Sequence, residues 1–296
     1  MPRTGYVTLL GLPNAGKSTL LNCLIGEKLS IVTPKAQTTS RRVTGISTEP
    51  DVQMIFLDTP GLLEPKDLFQ KSMLSAALVA LEEADVVVLV VDLGRLDEAE
   101  GATIRETLTH SRAPRLVALN KVDTVSPDRV QAGLRLPTSL GATGFAISAL
   151  KGTGVQELRA AIEAALPEAP FLYPPDEIAS EPVRFFVAEL VRETIFERYH
   201  QEIPYSVLCH VEEFREEQEP AYIGVTVYVE RESQKGILVG KGGGDIRELG
   251  RTSRAKIEHF LGRSVYLDLW VKTLDGWRRK RDELTRFGFH VPDETR

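Results

Sequence analysis

The chain has 296 residues, of which 42% are hydrophobic and 26% are charged, and its formal net charge is −6. This composition is that of an ordinary globular protein, and the length predicts about two domains that each bury a core. The longest apolar run, residues 86–91, excludes a membrane-spanning helix, which needs roughly 20 apolar residues.

The first 165 residues alternate predicted strands and helices, which favours a doubly wound α/β domain. Two runs, 86–91 and 116–119, are apolar throughout, as parallel strands covered on both faces are. Strands 42–48 and 53–58 are predicted to pair antiparallel at the edge, with a turn at 49–51. The other strands are predicted at 6–10, 86–92, 115–120 and 144–147, and the helices at 17–25, 69–82, 99–108 and 155–165.

Five prolines fall between residues 167 and 182, which predicts a semi-rigid linker. We therefore divide the chain into a domain at 1–166, a linker at 167–182 and a second domain with a C-terminal tail at 183–296. The predicted elements of the second domain are a helix at 183–199, strands at 205–214 and 221–231, a short helix at 236–239, a helix at 245–261 and a strand at 264–272.

The distribution of charge indicates the kind of binding partner, and the cysteine content indicates the cellular compartment. Residues 181–234 carry a net charge of −7 and residues 235–286 carry +6, so the C-terminal third is strongly polarised. Cys23 and Cys209 are isolated, and the five histidines, His110 among them, show no metal-ligand spacing. We expect no disulfide framework, no zinc site, no signal peptide and a reducing cytoplasm.

A phosphate-loop motif, GxxxxGKS, spans Gly11–Ser18 between a predicted strand and a predicted helix. Backbone amides in such a loop hold phosphates, Lys17 reaches the outer phosphates, and the Ser18 hydroxyl is a Mg²⁺ ligand. The residues predicted to contact a nucleotide here are Gly11, Asn14, Ala15, Gly16, Lys17, Ser18 and Thr19.

Two further segments are predicted to approach the outer phosphates. Asp58 ends a strand and can hold Mg²⁺ through water, while the amide of Gly61 can meet a γ-phosphate. The polar segment 34–42 offers a threonine that closes over the metal while the γ-phosphate is present. The sequence leaves Thr38 and Thr39 open as that ligand, and we favour Thr39. The candidate catalytic residues are Lys17, Thr39, Gly61 and Asn14.

The choice of base is predicted from Asn120-Lys121-Val122-Asp123, which follows an apolar strand. The Asp123 carboxylate can accept two hydrogen bonds from guanine, whereas adenine presents an acceptor there, a mismatch that costs roughly 1–3 kcal/mol per group. After the last strand comes Ser148-Ala149-Leu150, in which the Ala149 amide could meet the guanine carbonyl. The predicted base-side residues are Asn120, Lys121, Asp123, Ser148, Ala149 and Leu150. We interpret the chain as a GTPase that binds GTP and GDP; an ATP-dependent nucleic-acid enzyme is the alternative if ATP binds equally tightly.

Two residues bear on the hydrolysis rate. Leu62 follows the Asp58–Gly61 segment, at the position where Ras-like switches place a water-orienting glutamine, so we expect slow hydrolysis. Asn14 is a candidate for holding a monovalent cation such as K⁺ beside the phosphates, and its alternative role is to stabilise the turn.

The C-terminal third carries features of RNA binding. Gly240-Lys241-Gly242-Gly243 is a GxxG loop between helices, where the missing side chains let a nucleic-acid backbone approach. The next helix places three arginines on one face, and a tryptophan precedes a run of basic residues; the alternative for the arginines is a solvated basic face. The candidate RNA-binding residues are Gly240, Lys241, Gly242, Gly243, Arg247, Arg251, Arg254 and Trp277.

Together these motifs, with Lys35-Ala36-Gln37-Thr38-Thr39 and Leu267–Lys272, resemble the Era family of bacterial GTPases over nearly the whole chain. The resemblance implies a P-loop GTPase domain with a mixed, mostly parallel sheet, followed by an α+β type II KH domain. It also implies binding to the 3′ region of small-subunit ribosomal RNA, a role in small ribosomal subunit assembly, and stimulation by K⁺. Asp245 stands where the family often has a basic residue, so this loop is expected to be less positive. We further expect a monomer in the cytoplasm, with peripheral contact at the inner face of the cell membrane.

An acidic cluster supports a rival function of another class. Its members lie in and after the strand predicted at 205–214, and they are Glu212, Glu213, Glu216, Glu217 and Glu219. A signalling GTPase could use such a cluster to bind protein or membrane partners, although a solvated hairpin also explains it.

Overall fold

The computed structural model describes residues 1–33, 35, 37–96, 98–109 and 111–293, and within this range it gives no side-chain description for 98–102. Predictions that touch Pro34, Ala36 and His110 lie outside the described residues. The chain forms two compact units. The first consists mainly of Met1–Lys66 and Gln70–Ser180, and the second of Asp67–Phe69 and Glu181–Val291.

The first unit contains a six-stranded sheet. Its strands are β1 (Arg3–Leu10), β2 (Val43–Glu49), β3 (Val52–Asp58), β4 (Val86–Asp92), β5 (Arg115–Asn120) and β6 (Thr143–Ala146). Their order in the sheet is β2-β3-β1-β4-β5-β6, with only β2 antiparallel to its neighbour. The predicted edge hairpin and the mixed, mostly parallel sheet are confirmed. The carboxyl ends of β1, β3 and β5 share one edge of the sheet, where ligands bind in such folds.

Helices cover both faces of this sheet. They are α1 (Lys17–Ile25), α2 (Leu68–Glu83), α3 (Glu98–Leu108), α4 (Pro127–Gly133), α5 (Arg135–Ser139) and α6 (Val155–Ala165). The sequence pattern did not predict α4 and α5, which are short and lack a repeated apolar face. Local capping explains α4, because Ser126 accepts a hydrogen bond from the Arg129 amide and Pro127 occupies the first turn.

The proline-rich segment runs along the first unit. The amide of Ile46 in β2 donates to the carbonyl of Ile178 at 2.9 Å. The fully buried Gln53 side chain accepts hydrogen bonds from the amides of Leu172 and Tyr173 and donates to the Tyr173 carbonyl. Residues 167–180 are therefore held by hydrogen bonds to strands of this unit.

The second unit is an α+β arrangement around a three-stranded sheet. Its elements are α7 (Val183–Arg198), α8 (Ile203–Ser206), β7 (Leu208–Arg215), β8 (Ala221–Val229), α9 (Glu232–Val239), α10 (Gly244–Leu261), β9 (Val265–Thr273) and α11 (Arg281–Arg286). The sheet order is β7-β8-β9, with β7 antiparallel and β9 parallel to β8. Alternate residues of β8, namely Ile223, Val225 and Val227, pack in one core with residues from α7, α9 and α10. One sheet face is thus covered by helices.

Two predicted boundaries in this unit were wrong. Residues 205 and 206, predicted to begin a strand, belong to α8, which has Pro204 in its first turn. The helix predicted at 236–239 begins at Glu232, because the Gln234 side chain accepts hydrogen bonds from the amides of Glu230 and Arg231. Within the described residues, no helix is long and apolar enough to cross a bilayer.

Candidate nucleotide-binding site and nucleic-acid surface

The phosphate loop is shaped by contacts that leave no room for side chains. A Cβ on Gly11 would lie 2.3 Å from the Val90 carbonyl oxygen, and a Cβ on Gly16 would lie 2.2 Å from Nδ2 of Asn120. Asn14 adopts a left-handed conformation at φ 65°, which asparagine tolerates better than most residues. The loop therefore follows one backbone path, with its amides available for phosphates.

Lys17 is buried at the start of α1. Its Nζ donates to the carbonyls of Gly11 and Leu12, both at 3.1 Å. Burial lowers the pKa of Lys17 to about 8, although the charge of Asp58 opposes the shift. A buried ammonium that bonds only to neutral carbonyls is well suited to meet the charge of a phosphate.

Ser18, Thr39 and Asp58 converge behind the loop. Ser18 Oγ donates to Asp58 Oδ2 at 2.7 Å and lies 2.8 Å from Thr39 Oγ1, which is itself 3.3 Å from Asp58 Oδ2. The structure thus selects Thr39 over Thr38 for this cluster, while Thr38 lines the adjacent cavity. Burial raises the pKa of Asp58, opposed by the charge of Lys17 and the hydrogen bond from Ser18.

This cluster fits a hard divalent cation. Oδ1 of Asp58 is buried with no hydrogen-bond partner among the described residues, so an oxygen ligand is available there. Two hydroxyls and one carboxylate are the ligands that Mg²⁺ takes when it keeps several waters. Elsewhere in the described parts of the chain, no group of three or more His, Cys, Asp or Glu residues is arranged to hold a metal ion.

The segment after β3 brings Gly61 against the phosphate loop. A Cβ on Gly61 would lie 2.7 Å from the backbone nitrogen of Pro13, so only glycine fits. Thr59 Oγ1 donates to the Leu9 carbonyl at 2.8 Å and fixes the start of the segment. The Leu62 amide donates to the Gly11 carbonyl, and the Leu62 side chain is buried in the core.

The base-side residues form a bridge between loops. Asn120 donates from Nδ2 to the Ala15 carbonyl at 2.8 Å and accepts at Oδ1 from the Ala149 amide at 2.9 Å. We predicted that the Ala149 amide would donate to guanine. In this structure the Ala149 amide donates to the Asn120 side chain instead. Lys121 Nζ lies 2.7 Å from both the Asn14 carbonyl and Asp92 Oδ2.

Asp123 lines the cavity at the end where a base would enter. A hydrogen bond from Ser148 is the main cause that lowers the pKa of Asp123, and the nearby Lys151 ammonium, at 3.8 Å, adds to it. The carboxylate is therefore ionised at neutral pH and can accept two hydrogen bonds.

A cavity of about 320 Å³ joins these groups. Its lining includes predicted residues from every motif, namely Asn14, Gly16, Lys17, Ser18, Thr19, Thr38, Thr39, Gly61, Asn120, Lys121, Asp123, Ser148 and Leu150. The predicted residues Gly11, Ala15, Asp58 and Ala149 are not among the lining residues of this cavity. The sequence interpretation missed Pro13, Ile31, Val32, Thr33, Gln37 and Thr124, which also line it. These residues belong to no motif that predicts nucleotide binding, and only the folding of the chain brings them to the cavity.

The GxxG loop of the second unit is open. Gly240, Gly242 and Gly243 all have positive φ, at 70°, 62° and 76°. A Cβ on Gly242 would meet nothing within 4 Å, so glycine is needed there for its backbone angles, not for space. At Gly240 the nearest obstacle is the Asp245 carboxylate, at 2.0 Å. Lys241 is exposed on this loop.

The three predicted arginines lie exposed on α10. Arg251 makes two hydrogen bonds to Glu248, at 2.9 and 2.6 Å, so its guanidinium already has an acidic partner. Arg247 lies 3.5 Å from the Gly242 carbonyl and connects the helix to the GxxG loop. Arg247 and Arg254 thus remain the stronger candidates for phosphate contacts.

The prediction for Trp277 was wrong. This side chain is fully buried, and its Nε1 donates to the Ser206 carbonyl at 3.2 Å. It packs with Leu208, Tyr228 and Phe287 in a cluster formed by the folded C-terminal segment. The basic residues after it suggested a surface, but the apolar residues of α11 and the segment beyond it bury the ring.

Comparisons with known proteins cover both units. A family model described as a 50S ribosome-binding GTPase matches residues 6–121, and one described as a KH domain matches residues 202–278. The GTPase Era of Carboxydothermus hydrogenoformans is 40% identical over 291 residues, which span 97% of this chain and 98% of that protein.

Two solved structures match over the full length. One is an Era variant from Aquifex aeolicus bound to GDP and AlF4⁻, with a TM-score of 0.91, 36% identity, and coverage of 98% of this chain and 100% of that one. The other is Era in complex with MgGDPNP and nucleotides 1506–1542 of 16S ribosomal RNA, with a TM-score of 0.92 and the same identity and coverage. The P-loop and KH folds are thereby confirmed, and the chain belongs to the Era family of GTPases.

Proposed function

We propose that this GTPase is a switch that binds the 3′ region of small-subunit ribosomal RNA through its second unit and assists small ribosomal subunit assembly. The observation that carries the proposal is that one chain combines a nucleotide cavity lined by the Asp123 carboxylate with a KH unit whose glycine loop precedes a basic helix. The Era structure that contains MgGDPNP and a 16S RNA segment supports this combination of ligands.

We assign Mg²⁺ to Ser18, Thr39 and Asp58. Bound there, Mg²⁺ supplies positive charge to the outer phosphates. Lys17 adds a second positive charge, and the Gly61 amide, which lines the cavity beside the phosphate loop, donates to the γ-phosphate in this proposal. Because Thr39 and Gly61 belong to two different loops, loss of the γ-phosphate releases both loops together.

Intrinsic hydrolysis is slow in this proposal. The buried Leu62 offers no polar atom to orient the attacking water. We propose that the side chain of Asn14 holds K⁺ beside the phosphates and so supplies charge that the chain lacks. Exchange of K⁺ for Na⁺ should reduce the hydrolysis rate, and Asn14→Ala should abolish that difference; an unchanged cation response in the variant removes Asn14 from the mechanism.

RNA binding is tested by salt titration. A labelled single-stranded RNA with the sequence of the 3′ region of small-subunit ribosomal RNA is titrated with the full chain and GTP at several salt concentrations. Three phosphate contacts from cationic side chains, those of Lys241, Arg247 and Arg254, predict a logarithmic slope of about −2 for single strands. A flat salt response, or no binding, would instead favour a signalling GTPase that acts on protein or membrane partners.

We also propose a monomeric, cytoplasmic protein with peripheral contact at the inner face of the cell membrane. The unpaired cysteines Cys23 and Cys209 support a reducing compartment. Cell fractionation and sedimentation of the purified chain test the location and the monomer.

A further inference from the structure

One face of the second unit's sheet is not used by the function proposed above. The helices α7, α9 and α10 cover the face that carries Ile223, Val225 and Val227. Side chains of adjacent strand residues point to opposite faces, so Tyr222, Gly224, Thr226 and Tyr228 face away from these helices. The register places Tyr266 beside Tyr222 and Trp270 beside Thr226 on that same face.

The C-terminal segment covers only one end of this second face. Leu208 and Tyr228 are buried there by Trp277, Phe287 and neighbouring apolar side chains. At the other end, Tyr266 and Trp270 are both 58% exposed, which is more than any other aromatic side chain in the described residues. They lie four residues apart on one face of β9, with Asp268 between them, so the three side chains form a single surface.

This open surface is ordered by contacts among its own residues. The rings of Tyr222 and Tyr266 stack with centroids 5.8 Å apart, and the Arg215 guanidinium lies 4.9 Å from the Tyr222 ring. The Tyr222 hydroxyl donates to Asp268 at 3.0 Å. Rigid Tyr, Trp and Arg side chains are the ones that dominate binding energy at protein interfaces.

The charges around the aromatic rings are mostly negative. Exposed or partly exposed carboxylates lie beside the open end and continue into the hairpin between β7 and β8; they are Glu213, Glu216, Glu217, Glu219 and Asp268. Glu212 lies toward the covered end, where it accepts a hydrogen bond from the Tyr228 hydroxyl. The opposing cations are fewer. Arg215 pairs with Glu213 at 2.6 Å, Arg263 donates to the Gln218 carbonyl, and Lys272 lies near Glu212.

An acidic rim disfavours the phosphate backbone of RNA and favours a cationic partner. We propose that this surface, defined by Tyr222, Tyr266, Trp270 and the acidic rim, docks a basic segment of a protein rich in Lys and Arg. A cationic side chain of the partner stacks on the Trp270 ring while its neighbours pair with Glu213 and Asp268. Proteins that assemble on RNA carry such basic segments, so one unit can hold RNA at α10 and a basic protein on the sheet.

The first test relies on the proposed function and uses purified small ribosomal subunits. Trp270→Ala should weaken binding to the subunits at least tenfold while the affinity for the free RNA segment changes less than about twofold. Leu172→Ala is the matched control, because Leu172 is 55% exposed in the first unit and should leave both affinities unchanged. Equal losses for subunit and free RNA, or no loss for either, would overturn the proposal.

A photoreactive benzoylphenylalanine in place of Tyr266 then identifies the class of partner on the subunit. Crosslinks to a basic protein support the proposal, and crosslinks to RNA or to nothing overturn it.

The second test needs no ribosome, so its failure is separable from failure of the proposed function. The chain has two tryptophans, and Trp277 is fully buried, so quenching of fluorescence by acrylamide reports Trp270. An Arg-rich decapeptide should protect Trp270 from the quencher, whereas an Asp-rich decapeptide should not. The double variant Glu213→Gln and Asp268→Asn should lose this protection. The proposal is wrong if the Arg-rich peptide does not protect Trp270 in the parent chain, or if it protects Trp270 equally in the double variant.

Discussion

Two glycine loops lie before helices in this protein, and they differ in whether space as well as backbone conformation requires glycine. In the phosphate loop, Gly11 and Gly16 have positive φ and are also required by space, because a Cβ would strike backbone or a fixed amide. In the GxxG loop, Gly242 is required by its positive φ, with open space around it. The phosphate loop has one fixed backbone conformation that fits phosphate, and the GxxG loop is an exposed surface that a nucleic-acid backbone can approach.

The largest expected effect on stability comes from substituting glycine in the phosphate loop, and it tests the difference between the two loops. Gly11→Ala should lower the free energy of unfolding of the first unit by about 3 kcal/mol and abolish GTP binding, because the carbonyl of Val90 cannot move aside. Gly242→Ala should cost the second unit only about 1 kcal/mol, from its left-handed backbone. Urea unfolding and nucleotide titration measure both, and equal costs would contradict the distinction.

The second effect concerns the base. Asp123→Asn should reduce GTP affinity about a hundredfold, because the amide presents a donor to a guanine donor. Xanthosine nucleotides should bind the variant better than GTP does. Equilibrium dialysis with both nucleotides checks this, with ATP as the control that neither protein should bind tightly; tight ATP binding by the parent chain would contradict the base assignment.

The third effect concerns the helix after the open loop. Arg247→Ala should weaken RNA binding about tenfold and reduce the salt slope by about 0.7, since one phosphate contact is lost. Arg251→Ala is the matched comparison, and its effect should be less than threefold because Glu248 already pairs with that guanidinium. GTP affinity should stay at the parent value in both; the reverse ranking would show that the Glu248 pair breaks on binding.

The smallest effect is a pH dependence. The pKa of Lys17 falls from 10.5 to about 8 through burial, so below pH 8 the ammonium is already charged and above it the free protein loses the proton. Phosphate binding favours the charged form, so GTP binding takes up a proton above pH 8. Affinity should therefore fall about fivefold between pH 8 and pH 9.

Calorimetry of GTP binding in two buffers of different ionisation enthalpy measures the proton uptake directly. Lys17→Arg, which stays charged throughout, is the control for titration of other groups. An affinity that is flat between pH 8 and pH 9 in the parent chain would show that Lys17 stays protonated in the free protein.

The sequence alone determined the elements whose signals are local. Strands β4 and β5 and helices α1 and α6 were predicted to the residue, because a continuous apolar run, a phosphate-loop glycine and an amphipathic repeat are each encoded by neighbouring residues. The same holds for the chemistry of Lys17, Ser18, Asp58 and Asp123, since their motifs specify the residue types that phosphate, metal and guanine need.

Only the tertiary structure decided features that depend on residues distant in the chain. It placed Thr39 instead of Thr38 beside Ser18 and Asp58, and it directed the hydrogen bond of the Ala149 amide to the Asn120 side chain. It also buried Trp277, which precedes four basic residues, and exposed Trp270, which stands between Leu269 and Val271. Burial depends on which surfaces pack together, and the local pattern around a tryptophan does not carry that information.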